Sequence, residues 1–220
     1  MVLDIGIEKF ASMSVHHSFI PGSSPIVFTA IHDGHRIRDE LKELFNLSEA
    51  ERLREEDPYT SNWLDPSDNR ILVYHSRFEA DVNRPRERAV YRVPEDAWGL
   101  KVWKSPLPGE LLNRSLEIYD GFYSACKAFF DDLFTRHENI VVYDIHSYNH
   151  RRESADKEAD PAENPEINLG TKNMDRDRWQ PVIASLIHHF REFDYREHYP
   201  HIDQKVHFRI KRIILQISLF

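Results

Sequence analysis

Three short apolar runs set the plan of this chain: Pro25 to Ile31, Ile71 to His75, and Val141 to Tyr148. Each has the length of a strand, and a continuous apolar run bounded by polar residues reads as a strand buried on both faces. The first leads into His32-Asp33-Gly34-His35, and the last carries Asp144, His146 and Ser147. Open α/β sheets place their chemistry at the C-terminal ends of such strands. Asp144 and His146 are two positions apart, so on a strand they share a face, and Ile145 packs on the other.

Between these runs the period changes. Ile37, Leu41, Leu44 and Phe45 have helical spacing and predict a helix over 36–47. Ser48 and Glu51 have the spacing of a capping box, which opens a short helix through Leu53. Pro58 disfavours helix at the preceding residue, so Asp57 falls at a bend. From Glu110 to Phe134 the positions Leu112, Leu116, Tyr119, Tyr123, Cys126, Phe130 and Leu133 predict a long amphipathic helix. It joins two strands, which makes a right-handed βαβ unit. Residues 84–109 are irregular, rich in Arg and Pro, and long enough for a functional loop. Further on, 149–166 reads as a polar surface loop, 167–171 as a short strand, 178–193 as a helix and 206–220 as β-like. Residues 1–24 show no clear period, and His16 and His17 are expected at the surface.

Composition adds constraints. With 220 residues, 40% hydrophobic, and no linker-like stretch, the chain is expected to form a single α/β domain over 1–220. A formal charge of -8 disfavours nucleic acid as a partner. No apolar run approaches the roughly 18 residues of a membrane span. The N-terminus has no signal-peptide pattern, so a cytoplasmic location is the default expectation. Cys126 is the only cysteine, on the apolar face of the long helix, which excludes an internal disulfide and a thiolate metal cage. A tightly held metal must use His, Asp or Glu.

A histidine at a strand end serves as metal ligand, general base or hydrogen-bonded edge residue. Two such histidines, His32 and His146, form a constellation. With a carboxylate from the bend after the short helix, Asp57 or Glu56, they leave a fourth position open on zinc, which acidifies water and polarises a carbonyl. The competing reading of the same acids is a salt-bridged cluster at a helix end.

The order of these motifs resembles the N-formylglutamate amidohydrolase family. The likeness is carried by Pro25 to Gly34, the Glu-Asp pair at 56–57, Asp81-Val82-Asn83-Arg84-Pro85, Asp144-Ile145-His146-Ser147-Tyr148 and Asn168-Leu169-Gly170-Thr171. The resemblance implies a three-layer α/β/α fold of the phosphorylase/hydrolase kind, with a central mixed, mostly parallel sheet, similar to zinc carboxypeptidases and aspartoacylases. It implies Zn2+ held by His32, Asp57 and His146, with Glu56 the alternate to Asp57, and hydrolysis of the amide of a small acidic N-acyl amino acid. Asn83 and Arg84 match the pair expected to hold a substrate carboxylate, for which a guanidinium fork is suited. A salt bridge from Arg84 to Asp81 or Glu79 is the plainer alternative. A zinc carboxypeptidase, a peptidoglycan amidase and a non-catalytic metal- or ligand-binding descendant of the fold are the competing functions.

One position departs from the family pattern. Family members carry a Leu-Gln-x-Glu-like late strand whose glutamate is expected to act as general base, and here Leu215-Gln216-Ile217-Ser218 has Ser218 in that place. A serine does not accept a proton near neutral pH as a carboxylate does, so impaired turnover is expected. Glu192 and Glu197 are the substitutes within reach in sequence.

Overall fold

The computed structural model describes residues 12–13, 15–149, 151, 157, 167–170, 175–192 and 211–219. Among the described residues seven strands form one sheet: β1 (Ser12–Met13), β2 (His17–Ile20), β3 (Ile26–Ala30), β4 (Asn69–Val73), β5 (Val141–Asn149), β6 (Ile167–Gly170) and β7 (Lys211–Leu219), in the order β1-β2-β4-β3-β5-β7-β6. The helices are α1 (Asp39–Lys42), α2 (Glu49–Glu55), α3 (Gly109–Phe134) and α4 (Arg176–Glu192), and the fold is α/β. No helix among the described residues is long and apolar enough to cross a membrane.

The three apolar runs of the sequence are β4, β3 and β5, lying side by side and parallel. The rest of the sheet is not mostly parallel. β1 with β2, β2 with β4, and β5 with β7 pair antiparallel, so both kinds of pairing are equally represented. The short turn at 21–25 reverses the chain, so that β2 and β3 flank β4 on opposite sides, the first antiparallel to it and the second parallel. Its tightness needs Gly22, because a Cβ there would lie 2.2 Å from Asp68 Cγ.

Strand β2 also corrects the reading of the N-terminal segment. His17 is buried rather than at the surface, and its ring meets Phe19 and Phe122 edge-on. Phe19 in turn touches Phe122 and Phe129 of α3, at 5.7 and 5.5 Å between centroids. This contact widens the buried face of α3 beyond the predicted one, of which Leu116, Tyr119 and Leu133 are buried and Leu112, Cys126 and Phe130 pack against the core. Ile118, Phe122 and Phe129 are buried, whereas Tyr123 is 45% exposed. Val27, Ile71, Val73 and Val142 complete that core from the sheet. On the opposite face Ile145 packs with Ala30 and Leu64, as the strand period requires.

The helix expected over 36–47 shrinks to the single turn α1. Its C-terminal half is captured by the irregular loop instead: Phe45 bridges Trp103, Asn46 N–H donates to the Val102 carbonyl at 2.8 Å, and Lys104 N–H to that of Leu44 at 3.0 Å. α2 forms as its capping box dictates. Ser48 Oγ accepts from Glu51 N–H and the Glu51 carboxylate accepts from Ser48 N–H, and the helix ends at Glu56 in extended backbone. That stop delivers Asp57 to the site.

Candidate metal centre

His32 lies just beyond the end of β3, and His146 stands on the neighbouring parallel strand β5, where Thr29 is in register with Asp144. The loop after β3 turns sharply because Gly34 lies against the backbone just beyond β4, where a Cβ would come within 2.3 Å of the Tyr74 carbonyl carbon. Asp57 N–H donates to the His32 carbonyl at 2.9 Å, which fastens the bend after α2 onto the first histidine. The end of β3, the interior of β5 and the end of α2 thus meet at a point.

Here the side chains converge. His146 Nδ1 lies 2.8 Å from Asp57 Oδ2, and His32 Nδ1 lies 3.5 Å from the same oxygen. One ligand atom from each of His32, Asp57 and His146 falls within 4.8 Å of the others, and all three residues are buried. The other ring nitrogen of each histidine faces a carboxylate. His146 Nε2 is 2.8 Å from Asp144 Oδ2, and His32 Nε2 is 2.8 Å from Asp81 Oδ1. Asp144 is itself held by the Thr29 hydroxyl. Such carboxylate contacts are what orient metal-ligating imidazoles.

The electrostatics favour a cation. Burial pulls the His146 pKa down, but the charge and hydrogen bond of Asp144, joined by Asp57, outweigh it and raise the value to about 10. Burial likewise opposes ionisation of Asp57, yet the hydrogen bond from His146 and the proximity of the His32 imidazole hold its carboxyl well below the usual range. Asp81 is also held far down, against its burial, by His32, Arg77 and Tyr91. His32 Nδ1 has no hydrogen-bond partner among the described residues although it is buried and directed at Asp57. An orphaned imidazole nitrogen beside a permanently ionised carboxylate suits a divalent ion with nitrogen and oxygen ligands.

Glu56 is turned elsewhere. Its carboxylate bonds His35 Nδ1 and the Ser76 hydroxyl, with Arg52 at 3.6 Å. The structure therefore brings Asp57, and not Glu56, together with both histidines. Asn83 has its side chain exposed, while its N–H donates to Asp81 Oδ1 at 2.9 Å. Arg84 Nε lies 3.4 Å from Asp81 Oδ2, and its guanidinium sits over the Tyr91 ring at 4.7 Å. Tyr119 and Tyr123 of α3 fasten this loop by donating to the carbonyls of Arg84 and Val82, each at 2.8 Å.

Sequence reasoning missed Asp81 as the hub of the site. It binds His32, Arg77, Arg84, the Tyr91 hydroxyl and the Asn83 N–H, and so links the histidines to the Asn-Arg pair. The signal was its place in Asp-x-Asn-Arg. Ser218 is not brought to the site. β7 runs antiparallel to β5, so Ser218 lies opposite Val142 while Ile214 lies opposite His146. Four register positions, about 13 Å along a strand, separate it from the level of the histidine.

Comparison with known proteins agrees with the motif order. No curated protein and no solved structure gives a significant match. The family model for N-formylglutamate amidohydrolase matches residues 24–204, which takes in His32, Asp57, Asp81, Arg84, Asp144 and His146. A match over that much of the chain, with these side chains meeting at one point, places it: the chain belongs to the N-formylglutamate amidohydrolase family.

Proposed function

We propose that this protein hydrolyses the amide bond of a small acidic N-acyl amino acid such as N-formylglutamate, with zinc held by His32, Asp57 and His146. The observation that carries this reading is the convergence of the three side chains, with a carboxylate behind each histidine and Arg84 one residue's contact away through Asp81. A zinc ion there supplies Lewis acidity, which lowers the pKa of water and polarises the scissile carbonyl.

The protein's own residues do the rest. Asp144 and Asp81 fix the two imidazoles, so that each turns Nδ1 toward Asp57. Arg84 holds a carboxylate of the substrate and in doing so exchanges part of its contact with Asp81 for one with the ligand. A guanidinium presents parallel donors that match a carboxylate, and this positions the amide relative to the histidines. Ser147, whose hydroxyl reaches Asp57 Oδ1 at 3.4 Å, lines the site.

The test is direct. The purified chain is analysed for metal and incubated with N-formylglutamate, and release of formate and glutamate is followed. One equivalent of zinc and stoichiometric release are expected. A chain that carries zinc yet leaves the substrate intact refutes the hydrolytic assignment.

A further inference from the structure

Trp98 is an unusual residue for its position. It caps the 3-10 turn Pro94–Ala97 with φ of 52°, in the left-handed region that a bulky aromatic seldom adopts, and Gly99 follows at φ of 93°. Its ring is nonetheless 47% exposed, so the strain is not offset by burying the indole. Backbone strain of this kind clusters at active sites and ligand clamps. The surrounding loop is well fixed: Asp96 accepts from Arg92 N–H at 3.0 Å, and Gly99 N–H donates to the Pro94 carbonyl at 2.7 Å.

The indole meets the Tyr91 ring edge-on, 6.2 Å between centroids, and two guanidiniums. Arg77 lies over the indole at 4.9 Å and Arg84 at 5.9 Å. The same two arginines share one carboxylate oxygen, Asp81 Oδ2, at 2.9 and 3.4 Å. Asp81 also serves His32 with its other oxygen, so two permanent cations divide a single, already occupied anion. Two guanidiniums thus share one carboxylate oxygen, and the aromatic face covers one side of the pair.

We propose that Trp98 is a substrate-positioning residue of the carboxylate subsite: together with the nearer Tyr91 ring, 4.7 Å from the Arg84 guanidinium against 5.9 Å for the indole, it confines Arg84 so that its donor edge is presented to an acidic ligand. The inference rests on the assignment of Arg84 to a substrate carboxylate. Stacking leaves the in-plane N–H donors free while restricting the side chain's rotation, which lowers the entropy lost when the carboxylate binds. The subsite thus takes ligands by their carboxylate rather than by their acyl group.

Glutarate, a dicarboxylate with no amide to cleave, tests this apart from catalysis. The zinc-loaded chain is titrated with glutarate by calorimetry and by tryptophan fluorescence. Trp98→Ala should weaken binding about 3- to 30-fold, and Trp98→Phe should recover much of the affinity while abolishing the fluorescence change. KM for N-formylglutamate should rise in Trp98→Ala with kcat little altered, and the melting temperature should stay near that of the parent. Unchanged glutarate affinity in Trp98→Ala overturns the proposal. Failure of the parent chain to bind glutarate overturns the carboxylate role of Arg84 and this inference with it. Glutarate binding without amide cleavage leaves the subsite standing and removes the hydrolytic assignment alone.

Discussion

His146 and Asp144, two residues apart on one strand, face each other across a 2.8 Å hydrogen bond from ring Nε2 to Oδ2. The strand period placed them on one face, and the Thr29 hydroxyl holds the carboxylate from the neighbouring strand. Asp144→Asn keeps the shape and removes the charge. Loss of such a contact typically costs about 10- to 100-fold in metal affinity, and that weakening is expected here. Zinc competition with a chromophoric chelator measures it; affinity equal to the parent's would deny Asp144 this role.

The two neighbouring acids at the bend should separate cleanly. Asp57→Asn is expected to abolish stoichiometric zinc binding, because Asp57 is the carboxylate shared by both histidines. Glu56→Gln is expected to retain zinc but to destabilise the fold by about 1–3 kcal/mol, since the buried Ser76 hydroxyl and the half-buried His35 ring lose a charged acceptor. Elemental analysis beside a urea unfolding curve distinguishes them, and zinc loss in Glu56→Gln with full retention in Asp57→Asn would reverse the assignment.

Much of this site was legible in the chain, and what was not has a physical cause. His32 and His146 end apolar runs, and the capping box at Ser48 and the proline at 58 set where α2 stops, so that Asp57 emerges at a bend. Asp81 was hidden because its partner His32 lies 49 positions away, and a long-range hydrogen bond leaves no periodic trace. β2 was hidden for a related reason. Its His17-Ser18-Phe19 are all buried, so the strand shows no alternation, and the histidine and serine lower its apolar signal. Missing β2 then left Phe122 and Phe129 off the face of α3, since they pack on Phe19 beside the predicted Leu116, Tyr119 and Leu133. The pattern over 36–47 was real, but Phe45 serves a bridge to Trp103 instead of a longer helix.

Arg84→Lys keeps the positive charge beside Asp81 and loses the planar fork that stacks on Tyr91. KM for N-formylglutamate should rise by about tenfold, the worth of a charged hydrogen bond of roughly 1.5 kcal/mol or somewhat more. Steady-state kinetics with the zinc-loaded variant is the check. A KM equal to the parent's would leave Arg84 as a structural partner of Asp81 only.

Stability should fall on mild acidification through His75. The residue is buried, and burial, aided by the nearby His16, lowers its pKa to about 4 despite the hydrogen bond to the Ala80 carbonyl. The unfolded chain takes up this proton near 6.5, while the folded one refuses it until about 4. The contribution is therefore complete above pH 6.5, is lost progressively as the pH falls toward 4, and amounts to about 3 kcal/mol over that window. His75→Gln keeps a donor for Ala80 and removes the titration. Urea midpoints at pH 7 and pH 4.5 should differ less in the variant than in the parent, and an identical difference would exclude His75 as the source.

The serine in the late strand gives the last prediction. If residue 218 stood beside the metal centre, Ser218→Glu would restore a general base, a gain of about 10² to 10⁴-fold. The register says otherwise. β7 is antiparallel to β5, so the C-terminal end of β7 lies at the N-terminal end of β5, and Ser218 pairs with Val142. The level of His146 is occupied by Ile214, and the strand rise of about 3.3 Å per residue leaves a gap that a glutamate side chain does not span. Ser218→Glu is therefore expected to leave turnover of N-formylglutamate within about twofold of the parent, well short of a base restored. Parallel initial-rate assays of the two zinc-loaded proteins decide it, and a gain of a hundredfold would mean that β7 reaches the site in a different register.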